Sequence, residues 1–219
     1  MINLGVLVSG RGSNLQALID AMEAESLKAS ISVVISDNPE ALALARAERH
    51  GIRSEVVKKE DFPSKDAFDA ELVRILRERD VGLVALAGFM RLLTPAFIDA
   101  FPMRVINIHP SLLPSFPGLD VQRKAVEYGV RFSGCTVHFV DKGVDTGPII
   151  MQAVVPVTDT DTAETLAERI LREEHRIYPQ AVRLFAEDRL RVEGRRVIVK
   201  DHPGIDESTS LENPTVTET

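Results

Sequence analysis

The stretch that decides the fold is INLGVLVSGRGSNLQALIDAMEAE, residues 2–25. Its opening run, INLGVLVS at 2–9, is apolar at successive positions, as a strand buried on both faces has to be. Its closing run, SNLQALIDAMEAE at 13–25, reads as an amphipathic helix. A strand of that kind feeding directly into a helix is the first half of a βαβ unit, and the pattern repeats. ISVVIS (31–36) precedes PEALALARAERHG (39–51), and RSEVV (53–57) precedes SKDAFDAELVRILRERD (64–80), which leads into VGLVALAG (81–88). The alternation predicts an α/β fold with a doubly wound, mostly parallel sheet. In such sheets ligands sit outside the carboxyl ends of the strands, so chemistry is expected in the loops after Val8, Ile35, Leu86 and Ile108.

The later chain predicts a helix near 120–128, a strand GCTVHFV (134–140), a loop DKGVDTG (141–147) and a strand PIIMQAVVPV (148–157). A helical stretch from Thr162 to Glu187, interrupted at Pro179, leads to a small hairpin at 189–199 that turns at Glu193-Gly194. This part forms a mixed C-terminal extension. Residues 201–219 are acidic, rich in Thr, Ser and Pro, and expected to be a disordered tail.

Composition narrows the classes of function. The net charge is -7, but residues 201–219 hold five acids and no Lys or Arg, which leaves 28 acidic against 26 basic residues, a net -2, for the body. A near-neutral body without a basic block gives no electrostatic basis for binding nucleic acid or an anionic membrane. The single Cys135 excludes an intrachain disulfide and any cysteine zinc cluster, and fits a reducing cytoplasm. The N-terminus has no basic region followed by a long apolar one, so it is not read as a signal peptide.

Two loops carry the polar chemistry. Ser9-Gly10-Arg11-Gly12-Ser13-Asn14 joins the first strand to the first helix, where glycines admit an oxyanion and free helix-start amides point at it. It lacks the Gly-Lys-Ser/Thr of a Walker A loop. It also lacks the third glycine of a dinucleotide fingerprint, although Asp37 stands where a ribose-binding acid would. Residues alone read it equally as a phosphate cradle or as a helix cap supplied by Ser13 or Asn14.

In NIHPSLLPSFPG, residues 107–118, Asn107 and His109 are two apart on a strand end and so share a face. Pro110, Pro114 and Pro117 then stiffen the chain, and Gly118 admits a turn or a close ligand. Asp141 and Asp145 lie in the following glycine-bearing loop; alone, Asp145 reads as a turn former, and His138 as a structural residue on an apolar strand. No metal-ligand spacing is present, and Cys135 at the start of an apolar strand is not read as a nucleophile.

Taken in order, VLVSGRGSNLQALID (6–20), LAGFMRLLTPAF (86–97) with VINIHPSLLPSFPG (105–118), and GCTVHFVDKGVDTGPIIMQ (134–152) resemble the phosphoribosylglycinamide formyltransferases, folate-dependent enzymes of purine synthesis. The resemblance covers roughly residues 1–195. The Asn-x-His-Pro element is shared with other 10-formyltetrahydrofolate enzymes, whereas SGRGSN and Glu174-His175-x-x-Tyr178-Pro179 resemble the glycinamide ribonucleotide branch. The resemblance implies a Rossmann-like catalytic domain over 1–200, with a phosphate-binding half at 1–105 and a formyl-folate half at 106–200.

Carried over residue by residue, it implies Asn107, His109 and Asp145 as the catalytic trio. Gly12, Ser13 and Asn14 would hold the ribonucleotide phosphate, with Pro110, Gly118 and Glu174 on the rest of that substrate. Met90, Arg91, Leu92, Leu93, Asn107, Asp141, Val144 and Asp145 would line the folate pocket. Lys65, where the family often has Arg, is a cationic folate contact without the bidentate fork. Asn107 and a protonated His109 would stabilise an oxyanion, while Asp145 orients His109 or a bound water and relays the proton. 10-Formyltetrahydrofolate is then a co-substrate, no metal is needed, the partners are small molecules, and a cytoplasmic monomer or homodimer is expected.

Four rivals follow from the same motifs. A 10-formyltetrahydrofolate hydrolase would use the same trio on water but usually carries an N-terminal regulatory domain, whereas this first strand begins at residue 2. A methionyl-tRNA formyltransferase needs a C-terminal RNA-binding domain where this chain has an acidic tail. A non-catalytic nucleotide-binding module has no use for the trio, and a dehydrogenase lacks its full fingerprint.

Overall fold

The computed structural model describes residues 1–201, 211 and 213. The strands are β1 (Ile2–Val8), β2 (Ala29–Ser36), β3 (Ser54–Val56), β4 (Leu83–Leu86), β5 (Val105–His109), β6 (Phe132–Phe139), β7 (Ile149–Pro156), β8 (Leu190–Glu193) and β9 (Arg196–Val199). The helices are α1 (Ser13–Glu23), α2 (Leu42–Arg49), α3 (Lys65–Glu78), α4 (Pro95–Ala100), α5 (Val121–Tyr128) and α6 (Ala163–Ala186). All nine strands join one sheet in the order β3-β2-β1-β4-β5-β6-β7-β9-β8.

The expected doubly wound half is present: β3, β2, β1, β4 and β5 run parallel. Successive residues of β1 go to opposite layers, which is why INLGVLVS reads as continuously apolar. Leu4, Val6 and Val8 pack under α1, α2, α5 and α6, while Leu7 packs under α3 and α4. The chain leaves β1 toward β2 on one side and returns to β4 on the other, so the β1/β4 boundary is the switch point, whose carboxyl end is where open sheets of this kind bind ligands. The mixed extension follows, with β6 antiparallel to β5, β7 antiparallel to β6, and β9 touching β7 in parallel through one residue pair, Ile149 with Arg196.

Helix ends follow their local chemistry. Ser64 caps α3 by accepting from the Ala67 amide, and Thr94 caps α4 ahead of Pro95. Thr162 and Thr165 form a reciprocal capping box on α6. The expected interruption at Pro179 does not occur: α6 runs unbroken for 24 residues. Proline forfeits the hydrogen bond to the His175 carbonyl, but Ile170, Ile177, Tyr178, Ala181 and Val182 on the same helix are buried in the core and carry the helix across that gap. The Tyr178 hydroxyl donates to the Leu86 carbonyl at 2.9 Å, pinning α6 to the end of β4. Most of the expected disordered tail lies outside the described residues; within it, the Asn213 amide donates to the carbonyls of Arg131 (2.6 Å) and Val157 (2.9 Å).

Candidate active site

β5 delivers Asn107 and His109 to the same face, and the antiparallel register sets His138 opposite Asn107 and Thr136 opposite His109. A register shift at His138, where β7 carries an extra residue, falls beside this pair. His109 is 5% exposed, and its Nε2 lies 3.0 Å from the Phe116 carbonyl. A carbonyl only accepts, so Nε2 carries a proton and Nδ1 is the nitrogen left to exchange one. Nδ1 faces the Asp145 carboxylate at 3.5 Å. Asp145 sits at a left-handed φ of 53° and accepts from the Gly118 amide at 2.8 Å. The trio thus meets across β5, the loop after it and the β6–β7 loop.

His138, a structural residue by its sequence pattern, is tied by its geometry to Asn107. Burial holds its imidazole below the usual histidine range, and its Nδ1 lies 2.8 Å from the Phe139 carbonyl, so Nδ1 bears the proton. The bare Nε2 then accepts from the Asn107 amide nitrogen at 3.3 Å, which fixes which way that amide points. Alternation along GCTVHFV is the only signal that a sequence offers for this; the register that pairs residues 107 and 138 is a tertiary fact.

The proline-stiffened loop is tied down by the neighbouring strands. Thr136 accepts from the Leu113 amide and donates to the Ser111 carbonyl, at 3.0 and 2.7 Å, while Gln152 donates to the Leu113 carbonyl at 2.9 Å. Ser111 donates to the Ser115 and Phe116 carbonyls, the second being the one that holds His109. Pro110 and Gly118 are the two ends of this frame. Gly118 has a φ of 81°, and its amide reaches Asp145.

At the β1–α1 loop neither Ser13 nor Asn14 caps α1, so the capping alternative fails. Gly12 is the cap residue at a φ of 70°, where an added Cβ would stand 2.6 Å from that of Ala43. The Asn14 amide nitrogen instead reaches across to α6 and donates to the Glu174 carboxylate at 2.7 Å. Burial pushes the Glu174 carboxyl upward, against the opposing effect of that bond, and Asn14 Oδ1 is buried with no partner among the described residues. A cleft of about 590 Å³ lies alongside, between α1 and α6, lined by Ser13, Gln16, Arg46, His175 and Arg183 among others.

The β4–α4 loop carries Met90, Arg91, Leu92 and Leu93. Met90 and Leu92 are 67% and 60% exposed, two large apolar side chains without a core to enter, while Leu93 packs under α3 and α4. The Arg91 guanidinium turns to Asp37, with Nε at 2.5 Å from the carboxylate, so the acid that a dinucleotide reading requires is already engaged. Val144 is 46% exposed in the β6–β7 loop. The Asp141 carboxylate there is used on its own turn, accepting from the Gly143 amide and the Thr146 hydroxyl. Lys65 opens α3, exposed and without a hydrogen bond or ion pair among the described residues. Cys135 is buried and its thiol is pushed up to about 12, which suits an inert core residue.

Among the described residues no group of three or more His, Cys, Asp or Glu is arranged to hold a metal, and no helix is long and apolar enough to cross a membrane. The Formyl transferase family model matches residues 2–182. Phosphoribosylglycinamide formyltransferase of Escherichia coli (strain K12) is 42% identical over 191 residues, covering 87% of this chain and 90% of that protein. The Trifunctional purine biosynthetic protein adenosine-3 of Drosophila pseudoobscura pseudoobscura is 52% identical over 190 residues, 86% of this chain, but the match spans only 14% of that longer protein. The crystal structure of glycinamide ribonucleotide transformylase 1 from Symbiobacterium toebii superposes with a TM-score of 0.90 at 55% identity, covering 91% of this chain and 94% of that one. With its doubly wound sheet and the polar cluster at the end of β5, the chain belongs to the formyl transferase family, and within it to the phosphoribosylglycinamide formyltransferases.

Proposed function

We propose that this protein transfers the formyl group of 10-formyltetrahydrofolate directly to the amine of glycinamide ribonucleotide, in purine biosynthesis in the cytoplasm. The observation that carries the catalytic reading is the convergence of His109 and Asp145, 3.5 Å apart and largely buried, beside an Asn107 amide oriented by His138. The amine attacks the formyl carbon, and the carbonyl oxygen becomes an oxyanion. The second N–H of the Asn107 amide donates to that oxygen, and His109, protonated at Nδ1 toward Asp145, places positive charge beside it. The attacking amine must lose a proton and folate N10 must gain one; Asp145 and His109 move it, through water where the span requires. At 3.5 Å the Asp145 carboxylate acts on the imidazolium chiefly as a facing charge.

No covalent enzyme intermediate is needed, so positioning carries much of the rate, which is the use of a loop held at Ser111, Leu113 and Gly118. The uncapped start of α1, with Gly12, Ser13 and Asn14, takes the ribonucleotide phosphate, and Glu174 takes its ribose side. Pro110 and Gly118 bound the same substrate. Met90 to Leu93, Val144 and the Asp141–Asp145 turn form the folate walls, with Lys65 at the rim. Residues 1–105 therefore supply the phosphate site and one folate wall, and 106–200 supply the formyl chemistry. Mixing the protein with 10-formyltetrahydrofolate and following tetrahydrofolate formation tests this. Product that appears only with glycinamide ribonucleotide is expected; formate release without the ribonucleotide would make the protein a hydrolase, and no product at all would leave a binding module.

A further inference from the structure

We propose that Asp37 is a positioning residue for the folate pocket: by clasping Arg91 it fixes the loop that carries the Met90 and Leu92 wall. The inference rests on the proposed folate site and adds to it a residue just past the end of β2 that lies outside the folate motifs. Asp37 follows Ser36, the last residue of β2, and its side chain is 7% exposed, so the carboxylate is a nearly desolvated charge. Such a group needs a partner, and Arg91 Nε supplies one at 2.5 Å. The same guanidinium lies 5.8 Å from the centre of the Phe68 ring on α3. Arg91 is therefore held between β2 and α3, and the backbone between Met90 and Leu92 goes with it.

The rest of this loop is anchored only near its ends. Ser9 donates its amide to the Gly88 carbonyl at 3.1 Å, and its hydroxyl accepts from the Met90 amide at 2.9 Å. At the far end the Thr94 amide donates to the buried Asp69 carboxylate. Between them, Met90 and Leu92 present most of their apolar surface to solvent, and the Arg91 clasp is the one side-chain hydrogen bond of residues 91–93 among the described residues. The Asn38 amide donates to the Ser9 carbonyl at 3.3 Å, so the β2 end also touches the strand that leads to the phosphate cradle. Arg91 acts through its backbone and neighbours, and its charge is spent on Asp37.

Calorimetric titration of the full chain with 10-formyltetrahydrofolate tests the clasp without requiring turnover. Asp37→Ala should weaken folate binding about tenfold, the scale of a lost hydrogen bond between charged groups, with ribonucleotide affinity and kcat within about twofold of the parent. Arg91→Ala should also weaken folate binding about tenfold, and the double variant should bind folate no worse than either single one, because the two share a single interaction. Should Asp37→Ala fail to fold, Asp37→Asn keeps an acceptor of the same shape and should still weaken folate about threefold. Unchanged folate affinity in a folded variant, or single effects that multiply in the double, overturns the clasp. A parent protein that binds formyl-folate but transfers nothing defeats the proposed function and leaves the clasp standing; one that does not bind it defeats both.

Discussion

Replacing Asp145 by Asn separates two tasks of one carboxylate. Its oxygen accepts from the Gly118 amide at 2.8 Å, which an amide oxygen of the same shape can still do, and it places a negative charge 3.5 Å from His109 Nδ1, which an amide does not. Opposite unit charges at about this separation interact by about 4 kcal/mol at an effective dielectric of 20. The imidazolium is required only while the oxyanion exists, so the loss falls on the transition state. At about 1.36 kcal/mol per decade, kcat should fall by two to three orders of magnitude. Both KM values should stay within about threefold of the parent, since the loop stays anchored. Asp145→Ala should lose the anchor as well, and its KM values should rise beyond those of the Asn variant. Steady-state tetrahydrofolate formation, with a melting curve to confirm folding, measures all of this. A folded Asp145→Asn enzyme with kcat within tenfold of the parent would refute the charge argument.

Other perturbations probe the neighbouring groups. Glu174 has a folded pKa raised by burial, so the native state binds its proton more tightly than the unfolded chain and loses stability as pH rises from the unfolded value near 4.5 through the folded one. Glu174→Gln should therefore melt higher than the parent at neutral pH, with the gap closing toward about pH 4.5, while its ribonucleotide KM rises about tenfold. For His138 the sign is opposite: its lowered pKa means the parent loses stability as pH falls below about 6.5. His138→Leu should lack that acid loss, and its kcat should drop about tenfold as the Asn107 amide loses its acceptor. Cys135, buried and with a thiol pushed up to about 12, should resist thiol reagents near neutral pH until denaturant is added, with activity unchanged by the treatment.

The parallel half of the fold was legible because its strands are buried on both faces and each is followed by a helix, as in Ile2–Val8 with Ser13–Glu23. The six-residue helix Pro95–Ala100 gives too short a period to stand out, although Thr94-Pro95 carries its start signal. At Pro179 a local rule marks a break, and the burial that overrides it is tertiary. In the site, the spacing of Asn107 and His109 was visible on one strand. The partners that give them shape are not: His138 meets Asn107 through a register 31 residues away, and Glu174 meets Asn14 across 160 residues. Arg91 was assigned to the folate pocket by its motif, yet its guanidinium goes to Asp37, 54 residues earlier, because a nearly buried carboxylate competes for it.

Direct formyl transfer is most sharply tested by supplying 10-formyltetrahydrofolate labelled with carbon-13 in the formyl group, together with glycinamide ribonucleotide, and following the label by mass spectrometry. The account predicts label on the ribonucleotide amine in step with tetrahydrofolate release, with none in free formate and none on the protein. Label appearing in formate, or held on the enzyme before reaching the amine, would contradict it.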